Sequence, residues 1–482
     1  MGFLDDIMKE QTYTLTENDA LALDRTGSNL VDLFAVAGAL RYREDQDIKR
    51  MFAKAMTEDR LLATRLAFYT RDVRGGLGER RTGRLMFEYL TEYFPEIFEK
   101  NAELISEYGR WDDLVYLMEK APEVIVPIIE RQLNDDLKNM AEGKPISLLA
   151  KWLPSVNTSS AETVRKARLL AKCLKMSDKD YRKTLSALRK YLNVVEVNMS
   201  ASDYARIVYS EVPSKAMNNY RNAFDRNDKE RFEEYLEKVK SGEEKINASV
   251  LYPYDVVEKY LYGNEKNNDV LEAQWKALPD YVEGDNKFLI MADVSGSMWG
   301  RPMATSIGLA MYFAERNKGA FANRFMTFSA KPELVEIKGS TLSEKINFIK
   351  SSAWEMNTDL EAAFDLVLYT AIKHNTPQDE LPDSIIIISD MEIDQCSEPD
   401  KLFCDQISER FAKAGYKMPK LVFWNVNSRQ NTYHSTSDVK GVQLASGQSP
   451  SVFKSLVEGV DLTPYDFMLT VLDSPRYEAV TV

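Results

Sequence analysis

The sequence predicts a two-part molecule: an α-helical repeat domain followed by an α/β domain built on a doubly wound, open parallel sheet. Three observations carry this expectation. From Asn29 to Tyr281, apolar residues recur at three- and four-residue spacing with short connections, as packed amphipathic helices require. Beyond Gly284 the pattern changes to apolar strand, helix, apolar strand, which builds a sheet covered by helices on both faces. Two of those strands end in aspartate, and the ligand crevice of such a sheet lies beyond the carboxyl ends of its strands.

Residues 1–28 form an N-terminal segment. Residues 29–284 hold the helical pattern, in stretches such as NLVDLFAVAGALR, EDRLLATRLAFYTRDV, RRTGRLMFEYLTEYF and VIVPIIERQLNDDLKNM. No strict repeat of fixed period is present, so stacked helix pairs are inferred from spacing rather than self-similarity. Glu283-Gly284-Asp285-Asn286 reads as a linker or turn. Residues 285–460 then alternate KFLIMAD, RPMATSIGLAMYFAERN, AFANRFMTF, TDLEAAFDLVLYTAIKHN, DSIIIISD, LFCDQISERFAKAG and PKLVFWNV. Residues 461–482, with TPYDFMLTVLDSPRYEAV, read as a helix and an extended tail that packs back on the body.

At 482 residues, 44% hydrophobic and 28% charged, the chain is long and apolar enough for two or more packed domains and is not a disordered protein. A net charge of −13 supplies no general attraction to nucleic acid or anionic membrane, so such binding must come from local patches. Cys173, Cys396 and Cys404 are odd in number and lack C-x-x-C spacing. They argue for a reducing compartment and against a disulfide frame or zinc site, and read as small core residues. The N-terminus is acidic rather than signal-like, and no window approaches 18 uninterrupted apolar residues. Gly2 nominally permits myristoylation, but Asp6 stands where a hydroxyl is usual. The expectation is a soluble, cytoplasmic protein with no membrane partner.

The stretch IMADVSGSMWG delivers Asp293, Ser295 and Ser297 to a strand end, DSIIIISD delivers Asp390 to another, and Thr358 opens a helix. Two carboxylates and three hydroxyls are hard oxygen donors suited to Mg²⁺ or Mn²⁺. Each of these residues alone is equally at home as a cap or turn residue; the ordered set is what points to an ion.

DVSGSM, Thr358-Asp359 and ISDMEID resemble the metal-ion-dependent adhesion site of von Willebrand factor A domains. That resemblance implies direct metal contact by Ser295, Ser297 and Thr358, with Asp293 and Asp390 acting directly or through water. YGRWDDL (Tyr108–Leu114), SLLAKWLPS (Ser147–Ser155), YRKTLSALRKYLNVVE (Tyr181–Glu196) and KINASVLYPYDVV (Lys245–Val257) resemble the helical part of Ro ribonucleoprotein autoantigen (TROVE) proteins. They are closer still to an uncharacterised family of Ro-like proteins with domain-of-unknown-function status. The resemblance implies HEAT-like repeats curved into a ring or horseshoe, closed by the von Willebrand domain. It also implies small structured or single-stranded RNA as ligand, although family membership does not fix the ligand.

Local chemistry bears on that ligand. In RDVRGGLGERRTGR, five arginines (Arg71, Arg74, Arg80, Arg81, Arg84) stand against two acids (Asp72, Glu79), a mixture suited to phosphate. Lys151, Arg182, Lys183, Arg189 and Lys190 are further candidates, and Trp152 and Tyr181 are candidate stacking partners for bases. The same residues are compatible with a solvated helix face, a glycine turn and a packed core.

Three function classes follow. The first is a non-catalytic RNA-binding scaffold; the second is a protein-binding module whose metal accepts a partner carboxylate; the third is a Mg²⁺-dependent phosphohydrolase. An enzyme is disfavoured. Only His374 and His434 are present, both expected at the surface and neither in a nucleophile or zinc motif, and GGLGERR lacks the P-loop lysine.

Overall fold

The computed structural model describes residues 12–263, 268–282, 287–327, 331–351, 358–458 and 462–482. The segment 283–286 read as a linker, most of the loop before Thr358 and residues 1–11 lie outside the described residues. Among the described residues, no helix is long and apolar enough to cross a membrane.

A helical region comes first, and an α/β region built on a mixed sheet follows. Helix starts in the first region follow local capping chemistry. Ser28 accepts from Val31 N ahead of Asn29–Val36, and Asp59 accepts from Leu62 N at 2.8 Å ahead of Arg60–Arg71. Successive helices pack as neighbours, Asn29–Val36 on Asp45–Glu58 and Arg60–Arg71 on Arg80–Tyr93. Residues 195–270 enclose a second, smaller apolar core around Tyr209, Phe224 and Phe232.

The stretch NLVDLFAVAGALR does not stay helical to its end; the helix stops at Val36. Gly38 there meets Gly447 so closely that a Cβ would fall 2.5 Å from Gly447 Cα, and Gly38 N donates to Ser446 Oγ at 3.0 Å. Helix geometry gives way to this backbone contact with the sheet domain.

Two short strands, β1 (Tyr13–Leu15) and β2 (Leu21–Leu23), form an antiparallel hairpin that sequence reading missed. The hairpin is tied to the α/β region: Thr16 Oγ1 donates to Ile393 O at 2.8 Å, and Leu23 exchanges backbone hydrogen bonds with Tyr433.

The main sheet contains β3 (Phe288–Ala292), β4 (Arg324–Thr327), β5 (Glu333–Glu336), β6 (Ser384–Ser389), β7 (Lys420–Asn425) and β8 (Val442–Ser446), in the order β5-β4-β3-β6-β7-β8. All neighbours are parallel except β4 and β5, so the expectation of a wholly parallel sheet needs correction. Only five residues separate Thr327 from Glu333, too few for the crossover a parallel pairing needs. Strands β3 and β6 run almost entirely buried, as strands covered on both faces must.

The helical region touches the sheet domain at both its ends. Helix Asn29–Val36 packs on β8 and β7, while Pro253–Leu261 lies along Arg301–Arg316, which is buried from Pro302 through Ala314. The chain end packs back on the helical region. After helix Pro464–Leu472, Arg476 Nη2 donates to Asp72 Oδ1 at 2.7 Å, Arg476 Nε to Asp72 Oδ2, and Tyr477 OH to Asp72 Oδ2 at 3.0 Å. Tyr477 also stacks on Tyr108 with centroids 5.6 Å apart, and Asn101 exchanges two hydrogen bonds with Thr481.

Removing one partner of a buried ion pair leaves the other charge stranded, at a cost of about 3–5 kcal/mol. Arg476→Ala, which strands the buried Asp72, should therefore lower the urea-unfolding midpoint clearly. Arg131→Ala, which breaks the exposed pair with Glu103, should cost no more than about 1 kcal/mol. Equal midpoints for the two variants would contradict the role given to Asp72.

Candidate functional site

Two features hold the residues singled out in the sequence, a carboxylate–hydroxyl group at the sheet's carboxyl edge and an arginine-lined cavity in the helical region; the hydrogen bonds of Thr358 run to Asp394 and Leu360 rather than to Asp293, Ser295, Ser297 or Asp390.

The cluster begins where β3 ends. Asp293 N still donates to Ile388 O at 2.9 Å, which sets the carboxylate at the sheet edge. Its Oδ1 accepts from Ser295 N at 2.8 Å and its Oδ2 from Ser389 Oγ at 2.6 Å. Ser295 Oγ and Ser297 Oγ lie 3.1 Å apart across a short 3₁₀ turn. Asp390, at the end of β6, accepts from Glu392 N and, at 3.0 Å, from Arg429 Nη2, which also reaches Glu17 Oε2 at 2.8 Å. Thr358 is buried one residue before Asp359, which caps Leu360–His374, and its backbone N donates to Asp394 Oδ2 at 3.0 Å.

Burial pushes the Asp293 carboxyl up to about 7, and the nearby negative charge of Asp390 adds to the rise, against the hydrogen bonds from Ser389 and Ser295. Arg429 already offers a cation to Asp390, whereas Asp293, among the described residues, is met only by hydrogen-bond donors, so a further cation beside it would favour its ionised form. The donors around them, carboxylate and hydroxyl oxygens, are those a hard divalent ion takes, so the residues fit Mg²⁺ or Mn²⁺. Among the described residues no group of three or more His, Cys, Asp or Glu side chains could hold a metal by itself. Any ion here would depend on the hydroxyls.

Sequence reading missed Ser389 and Arg429. Ser389 sits beside Asp390 in the quoted motif and could have been included; Arg429 carries no local signal. His434 also needs correction. It is buried behind the cluster, its Nε2 2.9 Å from Met391 O, and burial drops its pKa to about 4. His374 is exposed as expected. Of the cysteines, Cys404 is buried, while Cys173 and Cys396 are half-buried rather than core.

The cavity, of about 940 Å³, gathers Arg71, Arg74, Arg80 and Arg81 from the arginine-rich loop. Distant segments add Arg41, Arg110, Lys215 and Arg301. The acids on its wall are Glu79 and Asp255 against eight basic residues, of which Arg41, Lys215, Arg71 and Arg81 are paired with Glu79, Asp255, Asp113 and Asp45. Tyr42, Trp111, Trp152, Tyr252 and Tyr254 supply aromatic surface.

These cations differ in freedom. Arg71 is wholly buried and held by Asp113, its Nε 2.8 Å from Oδ2. Arg84 points away from the cavity to Asp112 and Asp113, at 2.8 and 2.7 Å. Arg81 is tied to Asp45 and to the carbonyl of Arg43, and Arg41 to Glu79 at 2.8 Å. Arg74 donates to the Glu107 carbonyl but stays exposed, and Arg80 is exposed, 3.9 Å from Asp112. Arg110 lies over the Trp152 ring at 4.7 Å, and burial, then the like charges of Arg80 and Arg71, hold its pKa below the ordinary value.

The other candidates lie elsewhere. Arg182, Lys183 and Lys190 are exposed on helix Asp178–Tyr191, away from the cavity wall, and Lys151 is half-buried beside Trp152. Arg189 binds the carbonyls of Ala150 and Leu153 and the hydroxyl of Ser155, a structural brace. Tyr181 is a core residue whose hydroxyl donates to Pro154 O at 2.9 Å, which takes it out of any stacking role.

Residues 16–126 and 123–287 match the family model described as Domain of unknown function (DUF2828). The chain belongs to this family. Residues 287–468 match a second model, Domain of unknown function (DUF7788), so the join between the two matches falls just before β3. Over 506 aligned residues the chain is 29% identical to the uncharacterised protein L728 of Acanthamoeba polyphaga mimivirus, covering 95% of this chain and 87% of that one. Among solved structures, the Deinococcus radiodurans RO (RSR) protein is similar over 92% of this chain and 99% of its own, at 14% identity and a TM-score of 0.48.

The raised Asp293 carboxyl sets a pH dependence. A folded-state pKa above the unfolded one stabilises the protein below the unfolded value, and that contribution is lost as pH rises through the folded value. In chelator, the parent should lose stability between about pH 4 and about pH 7 through this group. Asp293→Asn, which cannot ionise, should flatten that part of the curve. Urea titrations across that range check it, and an unchanged slope in the variant would count against the electrostatic account of the cluster.

Proposed function

We propose that the protein is a non-catalytic, Ro-like scaffold that binds RNA through single-stranded segments in the arginine-lined cavity, its helical part and sheet domain forming one closed ring. The observation that carries this reading is a cavity wall with eight basic residues, the exposed Arg74 and Arg80 among them, and two acids, in a protein whose net charge is −13. A concavity lined mainly by one sign of charge focuses field lines, so a polyanion repelled elsewhere is steered here. Aromatic side chains among the cations suit bases as well as phosphates. A cavity of about 940 Å³ has no room for a turn of duplex, which favours a strand with its bases open.

The same reading places Mg²⁺ or Mn²⁺ at Asp293, Ser295, Ser297, Thr358 and Asp390. When bound, the ion would supply positive charge to two opposed carboxylates and an electrophilic position for an incoming oxygen ligand. The chain's own part is to hold Asp293 through Ser295 N and Ser389 Oγ, and to hold Asp390 through Arg429. Titration calorimetry with Mn²⁺ should give a single site in the parent and none in Asp293→Asn. Equal heats in both would remove the metal from the reading.

The RNA assignment is tested by the freest cavity cations. Arg74→Ala with Arg80→Ala should weaken binding of a single-stranded oligoribonucleotide. The log–log salt slope should fall by about 0.7 for each cation removed. Arg182→Ala with Lys183→Ala, on the exposed helix face, should change neither affinity nor slope. Fluorescence anisotropy at two salt concentrations decides; parental binding by the cavity variant would turn the proposal toward a protein ligand.

A further inference from the structure

Trp299 is the most exposed large apolar side chain among the described residues, at 74% of its surface. Leaving an indole in water forgoes a large hydrophobic gain. Gly296 and Ser297 beside it in the chain are exposed and polar or bare, and the aromatic ring against it is that of the partly exposed Tyr262.

It is nonetheless held in place. The Tyr262 ring lies 5.1 Å from the indole at 61°, an edge contact rather than a stack. Tyr262 is itself fixed, since its hydroxyl donates to Gly300 O at 3.0 Å and accepts from Gly300 N at 3.1 Å. Gly300 has φ +90°, a conformation L side chains avoid, so the turn between Trp299 and Arg301 is set by a glycine. Arg301 opens the next helix, lies over the Tyr254 ring at 4.8 Å, and lines the cavity. On its other side, Trp299 follows Ser295 and Ser297 of the acid–hydroxyl cluster. One short segment therefore carries, in order, the oxygen cluster, an exposed braced indole and a cavity cation.

We propose that Trp299, propped by Tyr262, is a nucleobase-stacking platform beside the cavity. It takes one unpaired base of a single strand whose adjoining phosphates lie against Arg301 and the cavity arginines. Every base offers a π-face, so the platform selects openness of the strand rather than its sequence. Base-paired segments are excluded because both faces of each base are already covered. This inference rests on the RNA reading of the cavity and adds to it the part of the ligand that is recognised.

The test compares an oligoadenylate with the same strand carrying one abasic position, walked along the strand, using the full chain and Trp299→Ala and Trp299→Phe. Trp299→Ala should lose about tenfold or more in affinity for the intact strand, with an unchanged salt slope because no charge is removed. Trp299→Phe should keep most of the affinity. At one abasic position the parent should show the same loss, and Trp299→Ala should show none beyond its own. If the parent binds and Trp299→Ala binds equally, the platform is wrong while the cavity reading stands. If Trp299→Ala weakens intact and abasic strands alike at every position, the indole contacts something other than a base, and the platform is again wrong. If the parent binds no strand, the cavity reading fails and the platform fails with it.

Discussion

The carboxylate of Asp72 is wholly buried, and a buried carboxylate is tolerable only when its oxygens are filled by donors. Most of those donors come from the far end of the chain. Arg476 binds both oxygens and the Tyr477 hydroxyl one of them, some 404 residues later. The remaining bond, from Arg74 N at 2.9 Å, shapes the loop on which the cavity arginines sit. Anchoring of the chain end and the shape of the arginine loop thus share one side chain.

Asp113 performs the complementary task from inside. Its two oxygens take Arg71 and Arg84, and Oδ2 also accepts from Arg110 N. A buried cluster of this kind is weak evidence for stability, since its desolvation cost offsets much of the attraction. Its effect is to sort the arginines. Arg71 and Arg84 become framework, whereas Arg74 and Arg80 remain accessible on the cavity side. The motif RDVRGGLGERRTGR looked uniform by composition, yet its five guanidinium groups divide between holding the loop and facing the cavity.

How far the sequence disclosed this depended on the range of each signal. Helical periodicity and the switch to alternating strands are local, and both regions were legible from them. Asp293, Ser295, Ser297 and Asp390 were legible because the turn after a strand is also local. The β1–β2 hairpin was not, since three-residue strands carry too little pattern and owe their shape to Ile393 and Tyr433. Strand β5 escaped notice for a similar reason: ELVE buries only Val335 and pairs antiparallel at the sheet edge. Arg41, Arg110, Lys215 and Arg301 reach the cavity from four separate segments, and Arg429 reaches Asp390 across 39 positions. No window of sequence contains those juxtapositions. The burial of Tyr181 and His434 was equally a matter of tertiary packing.

The two charged features stand in opposite electrostatic debt, and the chain runs directly from one to the other. At the sheet edge, burial and Asp390 raise the Asp293 carboxyl; in the cavity, burial and neighbouring arginines lower Arg110. Each is a group whose ionised form is disfavoured first by burial and then by neighbours of its own sign. A cation at the first and a polyanion at the second would each relieve that strain, and anything that binds only the folded state stabilises it by mass action. Because residues 295–301 join the two, an ion that fixed the turn around Ser295 and Ser297 would also fix Trp299 and Arg301. In the proposed reading the sites are therefore coupled through seven residues of backbone, with no need for a longer pathway through the core.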